Sequence, residues 1–267
     1  MHGGGAVILG ILQARMSSRR LPGKAMLPIL GRPMLELQLE RVGRARSLDA
    51  LCLATSTDSA DDSIATLGEA LAIPVHRGSL DDVLDRFHGA AARFAPDTVV
   101  RMTGDCPLAD PQIIDAVVAY FRDGGYDYAS NALEPTFPDG LDVEVCRYAC
   151  LETAWREAEL PSEREHVMPF IHRRRQRFRV GIHRNPVDLS ALRWTVDEPE
   201  DYAFVKAVYE ALYPDRPAFT TADVLDLLRR QPALARINDR HVRNAGAATS
   251  LARDALHRGD AGPENPP

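Results

Sequence analysis

The chain has 267 residues, and its 32 lysines and arginines against 38 aspartates and glutamates give a formal net charge of −6. Hydrophobic residues make up 45% of the chain and charged residues 26%, which is typical of a globular protein large enough to bury a full core. No apolar run is long enough to cross a bilayer, and the acidic balance argues against bulk binding to nucleic acid or to an anionic membrane.

The N-terminal segment and the cysteines predict a cytoplasmic protein. Residues 1–15 lack the basic region and the small-residue cleavage site of a secretory signal. The cysteines are scattered and form no C-x-x-C pair, which argues against a disulfide scaffold and against a zinc site. We therefore expect reduced, partly buried thiols at Cys52, Cys106, Cys146 and Cys150.

The first 120 residues alternate predicted strands and helices. The continuously apolar segment 6–12 predicts a buried strand, and a polar loop at 13–24 follows it. Further strands are predicted at 51–54, 73–75 and 97–102, and helices from Pro33, from about Ser59, over 79–94 and from Asp110 to Phe121. This alternation predicts an α/β fold with a mostly parallel, Rossmann-like sheet. Ligands of such sheets bind beyond the carboxyl ends of the strands, which places the loops 13–24 and 103–107 at the ligand edge.

The second half of the chain has a more mixed pattern. Residues 141–145 alternate apolar and acidic side chains, which predicts a strand with Asp142 and Glu144 on one face. Further elements are a helix that begins with a capping box at 162–165, a strand at 192–196, a helix over 199–212 and a last helix from about 220. We expect one domain over 1–245 with a small inserted α+β lobe at about 130–190 for acceptor and dimer contacts, and a disordered tail over 246–267.

The loop 13–24 is cationic and is the most specific functional signal in the sequence. Four of its residues are basic, and they come directly after a buried strand in an acidic protein: Arg15, Arg19, Arg20 and Lys24. Backbone N–H groups of a loop together with arginine and lysine heads suit a polyphosphate. The loop does not have the spacing of a Walker-type phosphate loop. The alternative is a solvated basic loop without a ligand.

Two aspartates follow predicted strands on the same edge. Asp105 lies in the segment T-G-D-C-P-L, and Asp197 lies in R-W-T-V-D-E-P-E-D. Mg²⁺ prefers one or two carboxylates together with phosphate oxygens, so both residues are candidate metal ligands. Asp105 could equally cap a turn or a helix, and for Asp197 taken alone a helix cap is the favoured interpretation. Beside a cationic loop, the two aspartates favour metal-assisted phosphoryl transfer.

Several motifs, in the same order, resemble those of the cytidylyltransferases that activate 3-deoxy-manno-octulosonate and sialic acids. These motifs are A-R-M-S-S-R-R-L-P-G-K at 14–24, G-D-x-P-L at 104–108 and D-x-P-E-D at 197–201. The resemblance is strongest to the branch called spore-coat polysaccharide biosynthesis protein F, through G-S-x-D-D-V-L-D-R-F at 78–87, F-P-D-G-L-D-V-E-V at 137–145 and S-E-R-E-H-V at 162–167. It covers roughly residues 7–240.

The resemblance implies a nucleotide-diphosphosugar-transferase-like fold, CTP as donor, Mg²⁺ as cofactor and a homodimer. By position it implies that Asp105 and Asp197 hold the metal and that Arg15 and Lys24 contact the triphosphate, these four being the catalytic set. The nucleotide-binding residues that it implies are Gln13, Ala14, Arg15, Ser18, Arg19, Lys24, Arg101, Thr103 and Gly104.

The acceptor region departs from the enzymes that activate sugar acids. Their Q-G-D stretch is replaced here by Thr103-Gly104-Asp105, and their acceptor motifs are not evident. The candidate acceptor-binding residues of this chain are Asn131, Asp139, Asp142, Glu144 and His166. His166 is also a candidate general base. The alternative for the acidic residues is a turn followed by a solvated strand face.

These observations predict that the protein transfers CMP from CTP to an oxygen of a small acidic acceptor, such as a nonulosonic acid, in surface polysaccharide or related biosynthesis. One alternative is a glycosyltransferase of similar architecture, although the nearest spacing to a D-x-D metal motif is Asp139-x-x-Asp142 or Asp81-Asp82. The other alternative is a catalytically silent nucleotide-binding homologue.

Overall fold

Nine strands and nine α-helices form the part of the chain that the computed structural model describes, residues 6–241, 243 and 254–255. The strands are β1 (Ile8–Gln13), β2 (Pro28–Ile29), β3 (Arg32–Pro33), β4 (Ala50–Ser56), β5 (Val75–Gly78), β6 (Thr98–Thr103), β7 (Tyr128–Ser130), β8 (Glu144–Arg147) and β9 (Val180–Ile182). The helices are α1 (Met34–Val42), α2 (Asp62–Ala70), α3 (Val83–Ala92), α4 (Pro111–Gly124), α5 (Tyr148–Glu157), α6 (Pro161–His166), α7 (Pro169–His172), α8 (Pro199–Leu212) and α9 (Thr221–Arg230).

The main sheet has seven strands in the order β5-β4-β1-β6-β8-β7-β9. Strands β5, β4, β1 and β6 are parallel neighbours, β8 runs antiparallel to β6 and to β7, and β9 is parallel to β7. Helices cover both faces of the sheet, which explains why β1 can be apolar throughout its centre. The predicted α/β class with a mostly parallel sheet is confirmed.

The segment predicted as an inserted lobe has the expected mixture of helices and strands. Its strands β7, β8 and β9 do not form a separate sheet, because they continue the main sheet beyond β6. The domain boundaries stay a prediction. The predicted disordered tail over 246–267 lies outside the described residues, apart from Asp254 and Ala255.

Two predicted strands differ from the structure for reasons of tertiary contact. The strand expected at 141–145 begins only at Glu144, because the side chain of Asn131 bonds to the Leu141 carbonyl and the Val143 N–H. The segment 192–196 is not a strand and makes a single bridge between Asp139 and Arg193. Its backbone N–H groups bond to loop carbonyls instead.

Local signals misplaced two other elements. The strand expected at 73–75 spans Val75–Gly78. The capping box expected at Ser162 is wrong, since Pro161 begins α6 and the Ser162 hydroxyl donates to Asp254 instead. The structure has capping boxes at the starts of α8 and α9, where carboxylates three residues into the helix accept the N–H of the cap residue.

A third apolar cluster, separate from the two faces of the sheet, holds the C-terminal part of the candidate site. It joins α8 and α9 to Leu141, Trp194 and Val196. This packing places the residue after Val196, which is Asp197, beside the loop after β6.

The four cysteines are free and buried. Within the described residues, no helix is both long and apolar enough to cross a membrane.

Candidate active site

A cavity of about 980 Å³ lies at the carboxyl ends of β1 and β6. Its lining comes from the loop after β1, residues 80–83 after β5, residues 103–105 after β6, residues 161–166 around α6, and Asp197. This is the edge of the sheet at which a ligand was expected.

The predicted nucleotide-binding residues come together in this cavity. All of them line it: Gln13, Ala14, Arg15, Ser18, Arg19, Lys24, Arg101, Thr103 and Gly104. Asp105, Asp197 and His166 line the same cavity. Residues separated by up to 184 positions, from Gln13 to Asp197, therefore line one open cavity.

Gly104 allows the loop after β6 to approach the end of β1. Its N–H donates to the Gln13 carbonyl at 2.7 Å. A Cβ at this position would lie 2.8 Å from Ala14 Cβ and 2.9 Å from the Gln13 carbonyl oxygen, which is too close for either contact. A glycine is therefore required here, and the close approach places Asp105 beside the cationic loop.

Lys24 connects the two candidate metal ligands. Its Nζ donates to Asp105 Oδ2 at 3.2 Å, to Asp197 Oδ1 at 2.9 Å and to the Val196 carbonyl at 2.7 Å. Burial by itself raises the pKa of Asp105, but the Lys24 ammonium and nearby hydrogen bonds outweigh burial and hold this pKa at about 2. Burial lowers the pKa of Lys24, and the two carboxylates outweigh it and raise that pKa. The Lys24 ammonium and the Asp105 carboxylate are therefore both charged and balance each other.

The arrangement of Asp105 and Asp197 suits a divalent cation. Because both carboxylates reach one nitrogen atom, they could both reach one metal ion in the same place. No cluster of three or more histidine, cysteine, aspartate or glutamate side chains within the described residues forms a complete metal site. Two carboxylates completed by phosphate oxygens are a donor set that Mg²⁺ accepts. The residues present therefore fit a metal that arrives with a nucleotide.

Arg86, on α3, is a cavity residue that sequence reasoning missed. It is 1% exposed, its guanidinium donates to the Ser79 carbonyl at 2.5 Å, and its Nε has no hydrogen-bond partner in the described structure. Burial, and then the charge of Arg15, lowers its pKa to about 10. The sequence contained a signal for this residue: Arg86 is a charged residue on the apolar face of α3, beside Val83 and Phe87.

Four predicted acceptor residues lie outside the part of the cavity lining that the structure describes. Asn131 and Asp139 are buried, and the Asp139 carboxylate pairs with Arg193 at 3.1 Å. Asp142 accepts from Arg243 at 2.5 Å, and Glu144 pairs with Arg101 and accepts from the Tyr128 hydroxyl. Among them, Glu144 touches a cavity residue, Arg101. The acceptor role of these four residues stays a prediction.

His166 ends α6 at the wall of the cavity. Burial lowers its pKa, which favours the neutral imidazole. The next residue, Val167, has a φ of 73°, a left-handed conformation that a β-branched side chain rarely adopts. Arg164 holds α6 over α3, since its Nε donates to both carboxylate oxygens of Asp82 at 3.0 and 3.1 Å. The structure thus adds Arg164 and Glu165 to the cavity residues that the sequence predicted.

The sheet, the cationic loop and the two carboxylates that Lys24 joins define a nucleotidyltransferase-type α/β protein. The sequence model described as cytidylyltransferase matches residues 9–225, so the chain belongs to the cytidylyltransferase family. This membership makes it a CTP-dependent nucleotidyltransferase, and the glycosyltransferase alternative no longer applies.

Three similar proteins carry related descriptions. The spore coat polysaccharide biosynthesis protein SpsF of Bacillus subtilis is 34% identical over 237 residues, covering 85% of this chain and 96% of that protein. The structure of a cytidylyltransferase from Leptospira borgpetersenii is similar with a TM-score of 0.83 and 30% identity, covering 90% of this chain and 100% of that one. The 3-deoxy-manno-octulosonate cytidylyltransferase of Nitratidesulfovibrio vulgaris is 37% identical over 149 residues, covering 51% of this chain and 56% of that enzyme.

Proposed function

We propose that the protein transfers CMP from CTP to an oxygen of a small sugar acid and releases pyrophosphate. The observation that carries the proposal is the convergence of the loop 13–24 with Asp105 and Asp197 on one cavity. Two similar proteins are described as acting in spore coat polysaccharide biosynthesis and on 3-deoxy-manno-octulosonate, which supports an acidic sugar as acceptor in the synthesis of a surface polysaccharide.

The reaction forms one phosphorus–oxygen bond and breaks another. The acceptor oxygen attacks the α-phosphorus, the bond to the β-phosphate oxygen breaks, and the acceptor hydroxyl loses its proton. Positioning and neutralisation of charge account for most of the catalysis in such transfers. Arg15 and Lys24 would neutralise the departing pyrophosphate, and neutral His166 would accept the proton.

Mg²⁺ is proposed as the cofactor, held by Asp105 and Asp197. When bound, it would neutralise phosphate charge as a Lewis acid. The Lys24 ammonium, which bonds to both carboxylates, would then turn towards the phosphates. The support for this assignment is the shared position of the two carboxylates and the requirement of Mg²⁺ for oxygen ligands.

The cellular setting is part of the proposal. Four buried free thiols suit a reducing compartment, so we place the protein in the cytoplasm. The family resemblance supports a homodimer.

The test is a pyrophosphate-release assay with Mg²⁺, in which CTP, UTP and ATP are each offered with a panel of sugar acids. We expect turnover with CTP and at least one acid. Turnover with UTP or ATP but not with CTP would overturn the assignment of the donor. Binding of CTP without turnover on any acid would instead support a silent homologue.

Asp105→Asn tests the metal ligand in the same assay. The amide keeps the shape but loses the charge, so we expect kcat to fall at least about 100-fold while the thermal unfolding temperature changes little. Asp215→Asn is the matched control, because Asp215 is exposed and lies outside the cavity lining. A Mg²⁺-dependent Asp105→Asn enzyme with the activity of the unaltered protein would contradict the assignment.

A further inference from the structure

A buried carboxylate fixes the backbone that carries Asp197. Asp201, in the first turn of α8, is 0% exposed. Its Oδ2 accepts the backbone N–H groups of Asp197 and Glu198, each at 3.0 Å. The direction in which the chain leaves Val196 is therefore set by the side chain of Asp201.

Arg193 connects this carboxylate to Asp197 itself. Its side chain is 6% exposed, and its Nε and Nη2 donate to Asp201 Oδ1 and Oδ2 at 2.9 and 2.8 Å. The same Nη2 lies 3.3 Å from Asp197 Oδ2, and Nη1 donates to Asp139 Oδ2 at 3.1 Å. One planar guanidinium thus contacts three carboxylates. Oδ2 of Asp197 also pairs with Arg20 Nη2 at 2.9 Å, so the buried Arg193 and the more exposed Arg20 both hold Oδ2, and Oδ1 is the atom that meets Lys24.

Asn238 adds support from beyond the region that the family model matches. Its side chain is buried at 3% exposure, and its amide donates to the Arg193 carbonyl at 2.9 Å and to Asp201 Oδ1 at 2.8 Å. The amide therefore fixes both the backbone of Arg193 and the Asp201 carboxylate to which the Arg193 side chain donates.

Capping of a helix does not by itself require this network. Helix α9 has the same capping box, formed by Thr220 and Asp223, but the arginine that pairs with Asp223 is Arg216, whose side chain is 65% exposed. Burying a guanidinium against carboxylates costs desolvation free energy and adds little net stability. The burial of Arg193 at α8 therefore points to a requirement for precise geometry.

We propose that Arg193 is a positioning residue, which Asp201 and Asn238 lock in place so that it orients the Asp197 carboxylate towards the metal and nucleotide. The inference rests on the proposed function, since it assigns Arg193 to the site through Asp197. Residues that support metal ligands in this way typically change metal affinity or activity 10- to 100-fold when replaced.

The experiment measures CTP binding by calorimetry, with and without Mn²⁺, and thermal unfolding of each variant. Arg193→Lys keeps one positive charge but lacks the planar guanidinium, so it cannot make the paired Nε and Nη2 bonds to Asp201 while contacting Asp197. We expect the gain in CTP affinity on adding Mn²⁺ to shrink at least about tenfold in this variant. CTP affinity without metal should change less than about threefold, because the loop 13–24 is intact. Asp223→Asn is the matched control, since it weakens the other capping box far from the cavity.

Asn238→Ala is a second variant that alters no charge, and it covers the case in which Arg193→Lys fails to fold. In this variant we expect the gain in CTP affinity on adding Mn²⁺ to be about threefold smaller than in the unaltered protein. If the variants unfold at lower temperature but keep the full gain in CTP affinity on adding Mn²⁺, Arg193 has only a structural role and the inference is overturned. If the unaltered protein bound CTP equally well with and without Mn²⁺, the assignment of the metal site would be wrong too. The unaltered protein therefore tests the metal site, and the variants test the positioning role of Arg193.

Discussion

Lys24 joins the two candidate metal ligands, Asp105 and Asp197. Its side chain is 12% exposed, and its ammonium hydrogen bonds to both. Two carboxylates that share a site normally repel each other and resist ionisation. Here the ammonium holds the pKa of Asp105 well below its usual range, so the site is electrostatically ready for a ligand that brings its own cation.

Asp142 lies outside the part of the cavity lining that the structure describes, and its acceptor role stays a prediction. Its carboxylate lies beside Arg243, and burial outweighs that cation and raises its pKa to about 6. The folded protein therefore holds the Asp142 proton more tightly than the unfolded chain does. The stability that this proton contributes is present at low pH and is lost as the pH rises through about 6.

Replacing Asp142 with asparagine should remove this pH dependence. From pH 5 to pH 8 the unaltered protein loses about 1 kcal/mol of unfolding free energy through Asp142, and Asp142→Asn does not. Urea unfolding of both proteins at the two pH values measures the difference, in which the effects of all other titrating groups cancel. Unfolding free energies that change in parallel would contradict the expectation.

At the scale of elements, the loop that carries Asp105 is held between helices. The Tyr209 hydroxyl of α8 donates to the Pro107 carbonyl at 2.6 Å. The Asp110 carboxylate accepts the Gln112 N–H at the start of α4, and it also accepts the N–H and hydroxyl of Thr221 at the start of α9. One side chain thus joins two helices to the loop after β6.

Asp110→Ala should destabilise the protein more than the loss of an ordinary helix cap. The substitution removes the cap of α4 and leaves the Thr221 N–H without an acceptor, so we expect a loss of about 2–4 kcal/mol. Thr220→Ala, which removes one cap of α9, should cost only about 1 kcal/mol. Urea denaturation of the two variants gives both values. Equal losses would show that Asp110 acts as a simple cap.

At the scale of the whole molecule, the proposed homodimer has a direct measurement. We expect sedimentation equilibrium at micromolar concentration to give twice the chain mass of 29.4 kDa. The basis for this expectation is the family resemblance, which extends through 130–190, the segment in which dimer contacts are expected. A mass of one chain across the concentration range would contradict the proposal.

The charges that add up to a net charge of −6 are unevenly distributed over the molecule. Much of the basic charge of the loop 13–24 faces one cavity, and Lys24 and Arg20 are balanced there by Asp197. An acidic protein can therefore concentrate cations on one small polyphosphate without attracting large polyanions.

The sequence by itself determined the α/β class, the cationic loop after β1 and the two candidate metal ligands. The class, the loop and Asp105 depend on periods of two or about four residues and on the ends of strands, which are local properties of the chain. The strand that the sequence predicts before Asp197 is absent, and tertiary packing places this residue beside Asp105 instead. The family resemblance added the nucleotide, and the match to the cytidylyltransferase family confirms it.

Only the tertiary structure decided which polar residues face the cavity. Asp142 meets Arg243, Glu144 meets Arg101, and Arg86 faces the ligand space from the apolar side of a helix. The segment 192–196 looks like a strand, yet its N–H groups find acceptors in loops near 105 and 139. For Asp142, Glu144 and the N–H groups of Trp194 and Val196 the physical reason is the same: a buried polar group must be paired, and its partner lies tens to more than a hundred residues away along the chain.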